Sequence, residues 1–290
     1  MSLYDLLLAP FMQFGFMARA LAGAVILSLS AGPVGVFLML RRMSLTGDAM
    51  AHAILPGAAA GFLVSGLAIL PMTLGGFAAG LIVAVLSGLV SRFTIQREDN
   101  SLAAFYLISL ALGVMLVSLK GSNVDLMHVL FGTVLALNND ALLMIGAIVT
   151  VSLVALALLW RPLVAECLDP TFLRSVSGAG QPVHLLFLAL VVINLVGGFQ
   201  ALGTLLAVGL MMLPAAAARF WVRSLEAMCA LAIAISVVSS YLGLLVSYHL
   251  SVASGPAIIL VAGAIYVLSM LFGSRGLVSS HLRPRRHRIA

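Results

Sequence analysis

Runs of about 20 residues without a charge recur along nearly the whole chain, and each is long enough to cross the hydrocarbon of a bilayer as a helix. Ala141 to Trp160 is one of them, apolar on every side. A membrane β-barrel needs apolar and polar residues to alternate, so these runs specify helices. Only 8% of the 290 residues are charged, against about 25% in soluble domains. A water-soluble enzyme or binding module is thereby excluded. The expected fold class is an all-α membrane protein, a polytopic bundle of eight to nine transmembrane helices. Residues 1–290 read as a single domain, with the helical bundle over 17–275 and a basic tail over 276–290.

Nine segments emerge, near 18–40, 49–68, 71–91, 102–119, 141–160, 183–199, 201–218, 227–248 and 256–273. The seventh is interrupted by Gly203, Gly209 and Pro214. If it is a broken or re-entrant helix, eight full spans remain. Tyr4 to Phe16 reads as a short amphipathic helix at the interface, and the lack of a basic n-region argues against a cleaved signal. Thirteen of the fifteen Lys and Arg residues fall in alternating connections and in the tail. The positive-inside rule then places the C-terminus in the cytoplasm, and the N-terminus outside for nine spans or inside for eight. Charge retention of this kind explains the net charge of +6 without a nucleic-acid partner. Cys167, in an expected loop, and Cys229, in an expected span, suggest neither a disulfide nor a metal pair.

Two connections exceed what a turn requires. The outer one, Gly121 to Asp140, holds a semi-apolar stretch over Leu126 to Leu137 that offers a face to an extracytoplasmic partner. The inner one, over 161–181, predicts a short helix from Pro170 to Val176. Asp169 is its N-cap, Pro170 stands at its first position, and Gly178-Ala179-Gly180 stops it. Two GxxxG pairs, Gly57/Gly61 and Gly76/Gly80, read as close helix packing.

An ionisable side chain in hydrocarbon costs a few kcal/mol or more, so the few that sit there are informative. Asp48 and His52 are four apart, hence on one helical face. Of the nine acidic residues, only Asp48 combines a place at an apolar segment with a histidine one turn away. A carboxylate oxygen beside an imidazole nitrogen can ligate Zn²⁺, Mn²⁺ or Fe²⁺, and two ligands make a weak, exchangeable site. The alternative reading has Asp48 capping the helix after Gly47 and His52 bonded to a neighbour. Pro56-Gly57, one turn on, predicts a kink that opens backbone groups to a cavity. Asn194 and Gln200 read as helix–helix hydrogen bonds, and His184 opens the sixth span. His249 reads as an interfacial histidine, and Asp125 with His128 is a second, weaker outer pair. No GxxxxGK[ST], HExxH or GxSxG motif is present, so neither ATP binding by a phosphate loop nor hydrolysis has machinery here.

The block from Arg41 to Gly57, RRMSLTGDAMAHAILPG, resembles the RR-x-SL-x-GDA-x-x-HA-x-LPG block of bacterial ABC-transporter permeases for transition metals. Further family-like pieces follow in order: Glu98-Asp99, Leu130-Phe131-Gly132, a degenerate FD-x-x-x-A-x-x-x-G loop over Asp169 to Gly178, and Gly203-Thr204-Leu205-Leu206 leading to Leu213-Pro214 and Arg219. The loop departs from the family pattern at Leu168, Leu173 and Ser177. The resemblance implies a permease subunit in the bacterial cytoplasmic membrane that carries zinc first, manganese or iron next, and binds no permanent cofactor. It also implies a homodimeric or paired permease, a cytoplasmic ATP-binding subunit that does the hydrolysis, and an extracytoplasmic metal-binding protein. Asp48 and His52 would be the metal site. Asp169, Pro170, Phe172, Leu173, Arg174 and Gly178 would couple the chain to the ATPase. A secondary transporter driven by an ion gradient is the alternative, but it calls for inverted repeats and midplane carboxylates, and neither is evident.

Overall fold

In hydrocarbon every backbone N–H and C=O has to be satisfied within the chain, and each uncharged run accordingly folds into helix. The computed structural model describes residues 7–66, 68–119, 137–168 and 180–278, and among them all regular structure is helical. In chain order the helices are α1 Ala9–Gln13, α2 Gly15–Leu40, α3 Ser44–Ala53, α4 Leu55–Ser65, α5 Ile69–Phe93, α6 Glu98–Leu119, α7 Asn139–Leu168, α8 Gly180–Leu202, α9 Thr204–Ala218, α10 Leu225–Leu250 and α11 Ser254–Phe272.

Eight stretches among the described residues are long and apolar enough to cross a membrane, with Ser44–Ser65 counting as one interrupted stretch. The 15-residue α9 is the exception, reaching about 22 Å against the roughly 30 Å of hydrocarbon. Gly203, at φ 93, makes the break before it, a backbone conformation open to glycine but strained for other residues. Although short, α9 returns the chain to the end of the bundle where α8 began. Ala215 and Ala218 cluster with Val36, Met39 and Leu40 from the end of α2, and the Phe220 carbonyl accepts a bond of 3.0 Å from the Arg275 N–H, just past α11. Seven long helices, the interrupted α3–α4 stretch and the short α9 therefore carry the described chain through the bundle nine times. The start of α2 and the end of α11 lie at opposite ends.

Two boundaries differ from the sequence reading. The connection expected to start at 161 is helical through Leu168, because Glu166 is buried against Arg41 and anchors two further turns of α7. Cys167 is thus in a helix, half-buried. The remainder, 169–179, lies outside the described residues, as does 120–136 with Asp125 and His128. Near the N-terminus the described residues hold a short helix, Ala9–Gln13, and extended backbone at Phe14 ends it before the expected Phe16. It packs on the bundle, with Phe11 stacked on Tyr241 at 5.2 Å and the Tyr241 hydroxyl donating to the Leu7 carbonyl at 2.9 Å.

Close packing follows the small residues. A Cβ on Gly57 would overlap the Gly75 carbonyl, and one on Gly61 would sit 2.6 Å from the Pro71 oxygen, so α4 and α5 touch backbone to backbone. Asn194 joins three helices: it accepts from Ser30 at 2.5 Å and donates to Ser152 at 2.9 Å. These are the helix–helix bonds expected of it.

Candidate functional site

Helix α3 carries the pair. It starts at Ser44 with Met43 as N-cap and no side-chain cap bond, which places Asp48 well inside the helix. The capping alternative for Asp48 is therefore wrong. Four residues on, His52 Nε2 lies 4.0 Å from Asp48 Oδ1, and the two side chains are 32% and 67% exposed. Tyr106 of α6 stacks over the imidazole at 6.2 Å with 30° between the planes. Nδ1 of His52 is buried and has no hydrogen-bond partner among the described residues. The ring is thus held by its face and not through its second nitrogen, which in tightly bound metal sites is usually fixed by a hydrogen bond.

The break after α3 follows from Pro56, which has no N–H to return to the His52 carbonyl. Ser109 of α6 donates to the neighbouring Ala53 carbonyl at 2.8 Å, so the interruption costs little. It leaves Asp48, Ala51 and His52 facing a cavity of about 390 Å³ whose other walls are Thr204, Leu205, Val208, Gly209, Met212 and Leu213 of α9 and Ile259 of α11. Among the described residues Asp48 and His52 are the only ionisable ones lining it.

An oxygen and a nitrogen donor on one wall of an otherwise apolar cavity can ligate a divalent transition metal while leaving most of its coordination sphere open. Among the described residues no group of three or more His, Cys, Asp or Glu side chains is placed to hold an ion. Two donors alone would hold an ion only weakly and exchangeably. The α9 wall was missed by sequence reasoning about ligands, although the glycine-interrupted segment was its visible signal. Asp169, Pro170, Phe172, Leu173, Arg174 and Gly178 lie outside the described residues.

The family model for the ABC 3 transport family matches residues 13–273. Among curated proteins, the chain is 34% identical over 270 residues to the manganese import system permease protein ScaB of Streptococcus parasanguinis, covering 93% of this chain and 95% of that one. It is 28% identical over 286 residues to the chelated iron transport system membrane protein YfeD of Yersinia pestis, covering 99% and 92%. Among solved structures, PsaBC from Streptococcus pneumoniae in complex with Fab matches with a TM-score of 0.83 at 29% identity, over 94% of this chain and 97% of that chain.

Proposed function

Because the chain belongs to the ABC 3 transport family, we propose that it is the membrane-spanning permease of an ATP-driven importer of a divalent transition metal ion, with manganese first and ferrous iron next as cargo. The observation that carries this reading is the Asp48/His52 pair on the wall of an apolar cavity, in a stretch able to cross the membrane. The resemblance put zinc first, while the donor set suits all three ions alike and ranks none of them. The relatives' own names speak of manganese and iron, which supports the order proposed. A family of membrane transport components makes the chain a transporter subunit, not an enzyme.

The ion enters from an extracytoplasmic metal-binding protein, is held at Asp48 and His52, and leaves on the cytoplasmic side as the bundle changes its opening. A separate cytoplasmic subunit supplies ATP hydrolysis and meets the residues from Asp169 to Gly178. A carboxylate as exposed as Asp48 within a spanning helix needs protein or a water-filled path beside it, which supports a second copy of the chain facing this cavity. Arg41, Arg92, Arg219 and Arg275 stand at the bundle end where α11 finishes, and that end faces the cytoplasm.

A strain lacking the chain, grown under chelation with single metals added back, tests the cargo. Growth should depend on the chain and be rescued first by manganese, then by iron. Rescue by zinc alone would overturn the cargo, and indifference to every metal would overturn the function. A crosslink from Ser175→Cys to the ATPase subunit tests the coupling segment.

A further inference from the structure

Four charged or titratable side chains from four helices meet at the basic end of the bundle. Arg41 caps the C-terminus of α2. Its Nη2 donates to Glu166 Oε1 of α7 at 2.7 Å and lies 2.6 Å from Nδ1 of His184 on α8. The other ring nitrogen of His184 is 2.6 Å from Glu98 Oε1 at the start of α6. The Arg41 and Glu166 side chains are 7% and 4% exposed, and the guanidinium lies 4.8 Å over the Phe187 ring. Buried ion pairs are poor stabilisers, since well-packed apolar residues of similar size commonly do as well or better. Such a chain of charges calls for another use.

Its two directions suggest one. Toward the pair, only Arg42 and Met43 separate Arg41 from α3. Arg42 adopts φ 59, and the bonds Arg42 N–H to Met39 at 3.1 Å and Met43 N–H to Leu38 at 2.9 Å form a Schellman motif. The corner is therefore stiff, and a shift of Arg41 moves the helix carrying Asp48 and His52. In the other direction, Glu166 and His184 stand just before and just after residues 169–179. The cluster borders a cavity of about 320 Å³, also lined by Arg42, Asp99 and Cys167. Glu166 Oε2 is buried without a hydrogen-bond partner among the described residues. Space and a spare acceptor permit a second arrangement of the same charges.

We propose that Arg41, Glu166, His184 and Glu98 are positioning residues of the transport cycle, a relay that carries displacement of the 169–179 segment to α3 and thereby sets the presentation of Asp48 and His52. The proposal rests on the reading that this segment meets the ATPase.

The assembled transporter in proteoliposomes, full-length chain with its ATPase subunit, tests it by metal moved per ATP hydrolysed. Two variants are compared: Glu166→Gln, and the paired Arg41→Met/Glu166→Leu, which leaves no unpartnered charge from the buried pair and keeps the test open should the single variant fail to fold. Both should retain assembly and hydrolysis while transport per ATP falls at least about fivefold, the lower range of ordinary coupling between sites. A merely structural clamp gives another pattern, in which the paired variant transports at the parental ratio; that result overturns the relay. The Ser175→Cys crosslink separates the premises. Its formation with parental transport in the paired variant rejects the relay alone, and its absence in the parent chain removes the docking reading and the relay with it.

Discussion

Replacing His52 by alanine should abolish metal uptake while barely disturbing the fold, and the structure sets both magnitudes. Nδ1 makes no hydrogen bond among the described residues, so none is lost there. The contact with Asp48 is 4.0 Å long and largely exposed, worth about 0.3–0.5 kcal/mol for such a pair. The stack on Tyr106 adds about 0.5–1.5 kcal/mol. The loss in stability is then about 1–2 kcal/mol, below the 3–5 kcal/mol that typically follows from breaking a buried pair such as Arg41 with Glu166. The functional effect is of another order. Removing a residue that merely hydrogen-bonds a metal ligand costs about 10–100-fold in affinity or activity, so removing one of two ligands should cost at least about 100-fold. Initial rates of radioactive manganese uptake, measured at matched chain levels, report the second effect, and thermal aggregation of the purified chain in detergent reports the first. Asp48→Asn, which keeps shape but weakens the donor, should follow the same course. Parental uptake by His52→Ala at a matched chain level would refute the site.

Gly57→Ala should lower the stability of the chain, because the new methyl would overlap the Gly75 carbonyl and lie 2.7 Å from the Ala79 Cβ; overpacking of this kind costs about 1–3 kcal/mol. Thermal aggregation in detergent reads it, and an unshifted midpoint would mean that α4 and α5 are not in backbone contact. Asn194→Ala strips Ser30 and Ser152 of their shared partner and should cost about 0.6–2 kcal/mol with metal affinity unchanged. An affinity change without a stability change would give Asn194 a role at the ion.

Much of this architecture was legible because hydrocarbon leaves the chain few options. Apart from the far end of α7, uncharged runs became helices within about five residues of their expected bounds, and the four-residue spacing of Asp48 and His52 placed them on one face without any knowledge of the fold. What stayed hidden depends on partners far away in sequence. Glu166 looks like a loop residue until Arg41, 125 positions earlier, buries it and prolongs α7. His184 and Glu98 looked like span boundaries because their pairing is set by how α6 and α8 pack, and no local pattern encodes that. The α9 wall was visible only as an interrupted apolar segment, since it contributes shape around the ligands and no ionisable group. Capping of α3 by Asp48 failed because Ser44, Leu45 and Thr46, outside the apolar window, are already helical.

The central claim is that ATP drives a divalent metal ion past Asp48 and His52. Its most direct test is metal accumulation by proteoliposomes containing the chain, its ATPase subunit and the metal-binding protein, with ion gradients collapsed. Accumulation of manganese that requires ATP and disappears with His52→Ala is the predicted result. Accumulation without ATP, driven by an imposed proton or sodium gradient, or ATP-driven accumulation that persists in His52→Ala, would contradict it.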